Sequence, residues 1–253
     1  MGLFDLPAPL LAAIDQVLAI ALPEFLRLLV WGVICGWLTM VVYRLLSRQE
    51  AIAELKSQQK VQQEAISQFD GEFNELMPLI RRTFSLGFKQ LGLSIGPALL
   101  ATIPILFIVA WVATAFVYEA PRPGDVIEVT AEPSGENLSW SRNAGAAVAE
   151  NGWQVTWPAG GETIELLLDD SPALELSSEE LHGIIHKRKW WNWLIANPAG
   201  YIPDDSQTDS VQVGLPTRQF LSFGPGWMQG SLFVFFSAFL LASIAFKFLM
   251  RIE

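Results

Sequence analysis

Two long apolar runs frame the first half of the chain, with a charged stretch between them. Residues 28–46 (LLVWGVICGWLTMVVYRLL) carry one charge, Arg44, near their end, and residues 95–118 (IGPALLATIPILFIVAWVATAFVY) carry none. Roughly 20 apolar residues span the hydrocarbon of a bilayer, so each run predicts a transmembrane helix. Between them Ile52, Leu55, Gln59, Gln62, Ile66, Phe69, Phe73, Leu76 and Ile80 follow one another in alternating steps of three and four. That spacing is a heptad seam, with Gln59 and Gln62 weakening its first half. Asp70-Gly71 interrupts the seam with a turn-forming pair. Arms of about 22 residues on either side, roughly 33 Å each at 1.5 Å per residue, leave and rejoin the membrane together. The pattern predicts an antiparallel coiled-coil hairpin. A third apolar run, residues 231–246 (SLFVFFSAFLLASIAF), predicts a last span.

Before the first span, residues 10–22 are apolar but short, with Asp15 at their centre. Leu11, Ile14, Leu18 and Leu22 recur at helical spacing, which predicts a helix lying in the membrane interface, a fourth tilted span being the alternative. Asp5, Asp15 and Glu24 all precede the first basic residue, Arg27, so the segment lacks the basic start of a signal peptide.

Residues 119–227 read differently. Short alternating runs at 126–129, 137–141, 153–157, 163–168 and 211–214 are separated by turn formers, which predicts an all-β, sandwich-like domain, immunoglobulin-like in layout but without its cysteines. Ser177 or Ser178 predicts a helix cap, with the helix running to His186.

The resulting fold class is an α-helical membrane protein. It has an interfacial helix (1–24), a first span (25–46), a hairpin (47–94), a second span (95–118), a β domain (119–227), a third span (228–250) and a tail (251–253). Composition agrees: 51% of residues are hydrophobic against 17% charged, with a mean hydropathy of +0.35.

Charge adds an orientation. Arg44, Arg48, Lys56, Lys60, Arg81, Arg82 and Lys89 lie on the hairpin side, against Arg27 alone on the other, and the last span ends in Lys247 and Arg251. The positive-inside rule therefore places hairpin and C-terminus in the cytoplasm, with the N-terminus and β domain outside. The β domain holds 16 acidic and six basic residues, so it carries the whole net charge of −10. No extended basic face is left to neutralise a nucleic-acid backbone, which argues against nucleic acid as a direct partner beyond a ribosome contact. The single cysteine, Cys35, lies in a span as a small packing residue and allows no intramolecular disulfide.

Candidate chemistry is sparse. His182 and His186 are four apart, but HGIIH lacks the glutamate of the zinc-protease pattern and a third ligand, so both read as surface histidines. Nucleophile elbow, phosphate loop and dinucleotide fingerprint are missing from the sequence, and the paired acids Asp169-Asp170 and Glu179-Glu180 read as solvated. No catalytic residue, metal or cofactor is expected, and the chain does not read as an enzyme. Lys187, Arg188 and Lys189 beside Trp190, Trp191 and Trp193 are either an anchor on headgroups or a partner contact; the alternative is that the tryptophans fill the β core. Within the spans, Thr39, Tyr43, Thr102, Thr114, Ser237 and Ser243 either line a partly hydrated groove or satisfy helix backbones and aid close packing. Pro97 and Pro104 loosen the second span.

The order of span, cytoplasmic hairpin, span, insert and closing span resembles the Oxa/YidC/Alb insertase superfamily. The nearest branch is the three-span one that includes archaeal YidC-like proteins and the insertase subunit of the endoplasmic-reticulum membrane complex. The resemblance is carried by residues 48–92, above all FNELMPLIRRTFSLGFKQLGL (73–93), and by GWMQGSLFVFFSAFLLASIAFKFLMRI (226–252). It implies a membrane-protein insertase or chaperone in a cell inner membrane. There the hairpin, at Phe69, Phe73, Leu76, Met77 and Ile80, captures nascent hydrophobic segments, with a ribosome or translocon as a further partner. A hydrophilic groove then shortens the polar path across the bilayer. Two features depart from that branch: the inserted β domain, and the absence of a counterpart to the groove arginine in the first span. Two other classes stay open, a membrane-anchored envelope protein whose β domain binds a partner and an oligomeric ion channel.

Overall fold

The computed structural model describes residues 2–71, 73–133, 138–141, 146–149, 152–157, 163–168, 171–177, 183–190, 193–194, 201–202, 204 and 206–252. They form two compact units, Met1–Leu28 with Leu106–Phe235 and Leu29–Ile105 with Phe236–Glu253.

The helices follow the apolar runs. After a short 3₁₀ turn at Leu3–Asp5 come α1 (Ala8–Ala19), α2 (Glu24–Leu46), α3 (Gln49–Ser67) and α4 (Phe73–Ala115). Among the described residues three helices are long and apolar enough to cross a membrane: α2, residues Glu75–Ala115 of α4, and α6 (Ser231–Leu249), which follows the single turn α5 (Gly226–Gln229). These helices suggest a multi-pass membrane protein. Glu24 in the first turn of α2 and Lys247 in the last turn of α6 each complement the helix dipole.

The interruption at Asp70-Gly71 is real: α3 ends at Ser67 and the next helix opens at Phe73. The return helix differs from the sequence reading in one respect. No break separates hairpin arm from span at residues 94–95; α4 runs on for 43 residues, through Pro78, Pro97 and Pro104. A proline removes one backbone hydrogen bond, and a spanning helix tolerates the loss where side chains, water or a local change of helical pitch re-satisfy the freed carbonyl.

In the other unit, the described residues form eight strands that pair antiparallel: β1 (Val126–Glu132), β2 (Leu138–Trp140), β3 (Ala147–Ala149), β4 (Gly152–Thr156), β5 (Thr163–Leu168), β6 (Ser171–Ser177), β7 (Ile184–His186) and β8 (Ser210–Val213). One sheet has the order β3-β4-β1-β8-β7 and the second β2-β5-β6. Alternate residues of β1 (Ile127, Val129, Ala131) and β8 (Val211, Val213) point inward, and Ile164 and Leu166 of β5 join them, so both sheets share one core with Trp157. Gly152 stands at φ +155 where a Cβ would collide with the Val129 carbonyl, so only glycine lets β4 lie this close to β1.

Two sequence expectations are corrected here. The layout is not immunoglobulin-like, because β1 is central, between β4 and β8, instead of at an edge. Nor does a helix run from Ser177 to His186: Ser177 closes β6 and His186 closes β7. Residues 178–182, including His182, Glu179 and Glu180, lie outside the described residues, as do Asp169 and Asp170.

Candidate functional site

The helical unit is built on two close approaches. Between α2 and α6, Gly36 faces Ala242 and the backbone of Phe239 and Ser243, where an added Cβ would meet atoms at 2.8–2.9 Å. Gly32 and Gly36 are both buried, as are Ala238 and Ala242 on α6. Small residues four apart let helix backbones approach in an apolar medium, which lacks a hydrophobic force to drive association. This Gly-x-x-x-Gly spacing is legible in the sequence and belongs beside the hydroxyl residues as a determinant of the site.

The second approach is between α3 and α4. Ala51, Glu54, Leu55 and Gln58 line one side of an open cleft of about 530 Å³, and Leu86, Lys89, Gly92 and Leu93 line the other. Residues early in α3 thus face residues well along α4, an antiparallel arrangement. Ile52, Gln62 and Leu86 are buried in this unit, while Leu55, Gln59, Ile66, Phe69, Leu76, Met77 and Ile80 are half-buried. Phe73 departs from the seam, being 67% exposed at the first position of α4. Farther along, Phe84, Phe88 and Leu91 are exposed too, Phe88 by 70%, and steps of four and three place them on one face. Ile95 and Leu99, also exposed, continue that face toward the apolar half of the helix.

The hydroxyl residues divide into two kinds. Thr39 is buried and donates to the Cys35 carbonyl at 2.7 Å, Thr102 is exposed and donates to the Leu99 carbonyl at 2.6 Å, and Thr114 donates to that of Trp111 at 2.8 Å. All three satisfy their own helix, which is the packing alternative. Ser243 is different: its buried Oγ finds no hydrogen-bond partner among the described residues. Tyr43 and Ser237 are half-buried. Thr39, Tyr43, Thr102, Ser237 and Ser243 belong to the helical unit, whereas Thr114 belongs to the unit that holds the β domain.

In that second unit, charge is concentrated at the start of α2. Arg27 forms an ion pair with Asp15 of α1 and a longer one with Glu24 at 3.4 Å, and its guanidinium lies 5.5 Å from the Phe116 ring centroid. Glu24 in turn takes Arg218 at 2.6 Å. With side-chain exposure of only 13%, Arg27 is matched by carboxylates instead of being held open for an acidic ligand.

The basic and aromatic run is at the surface. Trp190 is 86% exposed and Trp193 is exposed as well, which rules out core packing for these two; Trp191 lies outside the described residues. Lys187 donates to the Ser206 carbonyl at 2.7 Å, Arg188 stacks over Tyr201 at 5.0 Å, and Lys189 approaches Asp209 at 3.8 Å. The Tyr201 phenol is pushed above its ordinary value by burial, with Asp5 adding to the shift and Arg188 opposing it. No group of three or more His, Cys, Asp or Glu is placed to hold a metal among the described residues.

Comparison with family models, curated proteins and solved structures finds no match to this chain.

Proposed function

We propose that the chain is a membrane-protein insertase or chaperone of the Oxa/YidC/Alb kind. The hairpin is an antiparallel coiled coil in the cytoplasm, the β domain is outside, and the membrane is a cell inner membrane. The observation that carries this reading is the exposed apolar face of α4 at Phe84, Phe88 and Leu91, which continues into Ile95 and Leu99. An uncovered apolar surface of this kind is unfavourable in water and suits a transient apolar ligand. A nascent hydrophobic segment, delivered from a ribosome or translocon, settles on the arm and follows the same stripe into the bilayer. Phe73, at the turn, extends the capture surface, while Phe69, Leu76, Met77 and Ile80 hold the arms together.

The groove rests on fewer hydroxyls than the sequence alone suggests. Thr39, Thr102 and Thr114 are committed to their own helices, so Tyr43, Ser237 and Ser243 are its polar lining. Each charge crossing the bilayer centre costs about 2.5–3.5 kcal/mol on translocon scales, and local hydration lowers that barrier. Insertion makes and breaks no bond, and the reading calls for neither cofactor nor metal.

The test is reconstitution of the purified protein in liposomes, with insertion of a short single-span substrate read by protease protection. Phe84→Ser with Phe88→Ser should lower insertion while leaving the fold intact, because both side chains are exposed. Parent protein that inserts no more than empty liposomes would overturn the proposal and favour the anchored envelope protein.

A further inference from the structure

The N-terminal helix and the tryptophan loop of the β domain are joined, and the surface they make together has the chemistry of a membrane interface. On α1, Leu10, Ile14 and Val17 are exposed along one side, continued by Leu6 before the helix and Ile20 after it. The opposite side is fixed: Leu11 is buried and Asp15 is paired with Arg27. The helix therefore cannot roll to hide its apolar stripe. Twelve residues make about 18 Å of helix, well short of a hydrocarbon core about 30 Å thick, so α1 does not cross.

Its attachments set its level. The Asp15–Arg27 pair holds α1 at the first turn of α2, and Phe4 meets Phe107 of α4 edge to face at 5.2 Å. Both α2 and α4 are long and apolar enough to span a membrane. Arg27 is in the first turn of α2, where hydrocarbon gives way to headgroups, and α1 is held beside that turn.

The chain just before α1 then reaches the β domain. The Leu3 N–H donates to the Trp193 carbonyl at 2.8 Å and the Phe4 N–H to that of Leu194 at 3.4 Å. Asp5 is near enough to Tyr201 to influence its phenol. Exposed Trp193 is thus held by the N-terminal turn, and exposed Trp190 follows Lys187, Arg188 and Lys189, half of the basic residues of an otherwise acidic domain. Tryptophan with flanking cations is the usual composition of a membrane-interface belt, and a one-sided apolar helix lies in that same layer.

We propose that α1 and the Trp190–Trp193 loop form a single platform that seats the β domain on the phospholipid interface of the leaflet it faces. The occupant is lipid: acyl-chain ends and glycerol against the apolar stripe, headgroup phosphates against the basic run. The inference does not depend on the insertase reading.

The test uses the full chain with Cys35→Ala, in nanodiscs of phosphatidylcholine and phosphatidylglycerol. Spin labels go on Val17→Cys, on Trp190→Cys and, as a control, on Val148→Cys of β3, whose native side chain is 87% exposed. Power saturation with oxygen and a water-soluble nickel chelate should place positions 17 and 190 about 5–10 Å into the headgroup and acyl boundary, and position 148 in water. Chelate access at 17 and 190 equal to that at 148 would overturn the proposal. Shielding of both from oxygen and chelate alike would overturn it in favour of a protein partner or a second copy. Leu3→Pro removes the N–H that Trp193 accepts; position 190 should then move into water while 17 stays at its depth. No movement of position 190 would show that the loop is not seated through the N-terminal turn.

Discussion

Gly36 and Ala242 are so close that a methyl group on Gly36 would stand 2.8 Å from the Ala242 Cβ. Two of the apolar helices therefore meet at a point that only glycine permits, with Ser243 directly beside it.

Gly36→Val should separate α2 from α6. Overpacking of a tight contact costs about 1–3 kcal/mol. Thermal unfolding in mild detergent should register that loss, and the same substitution at Gly96, where open space surrounds the Cα, should register much less. Equal losses at the two positions would show that the contact is not a determinant of stability.

Ser243→Ala separates packing from hydration. An unsatisfied buried hydroxyl costs about 1–3 kcal/mol, so the variant should be at least as stable as the parent. Insertion of substrates with charged translocated tails should nevertheless fall, and that of uncharged tails much less. If both substrates insert as well as with the parent, Ser243 has no part in a groove.

Arg27→Gln removes the ion pair that Arg27 makes with Asp15 in a mostly buried setting, a loss of about 3 kcal/mol. Asp15→Asn should cost less, because Glu24 remains at 3.4 Å from the guanidinium. Unfolding of the two single variants and the double variant should give a double-variant loss smaller than the sum. Additive losses would mean that the two groups act independently.

Orientation is open to labelling in the Cys35→Ala background. Gln207→Cys and Ser67→Cys both replace exposed residues, on the β-domain side and in α3. An impermeant maleimide applied to spheroplasts should modify the first and spare the second until the cells are opened. The reverse pattern would invert the topology and remove the basis of the insertase proposal.

The features legible in the sequence are those with local causes. Apolar length marks the spanning helices, the three-four steps with Asp70-Gly71 mark the α3–α4 turn, and alternation marks β1, β2, β4, β5 and β8. Strands β3 (Ala-Val-Ala) and β7 (Ile-Ile-His) escape notice because neither alternates apolar with polar residues as the equally short β2 (Leu-Ser-Trp) does. In β6 a proline near the start and a register shift opposite Leu166/Leu167 blur the alternation. The cap signal at Ser177-Ser178 predicts a helix as far as His186, although His186 is in a strand. Burial of Arg27, the grip of Leu3 on Trp193 and the self-satisfied threonines depend on partners or rotamers that no window of sequence contains.

Glu24 and Arg218, joined at 2.6 Å, are 194 positions apart in the chain. During synthesis Glu24 emerges early, and Arg218 follows only after the last strand, β8, and shortly before α6. The Asp15–Arg27–Glu24 cluster therefore waits, one cation short, until all eight described strands have been made. Closure of that pair comes after the strands in the order of synthesis, and it joins the start of α2 to the segment that leads into α6 only once the strands between them exist.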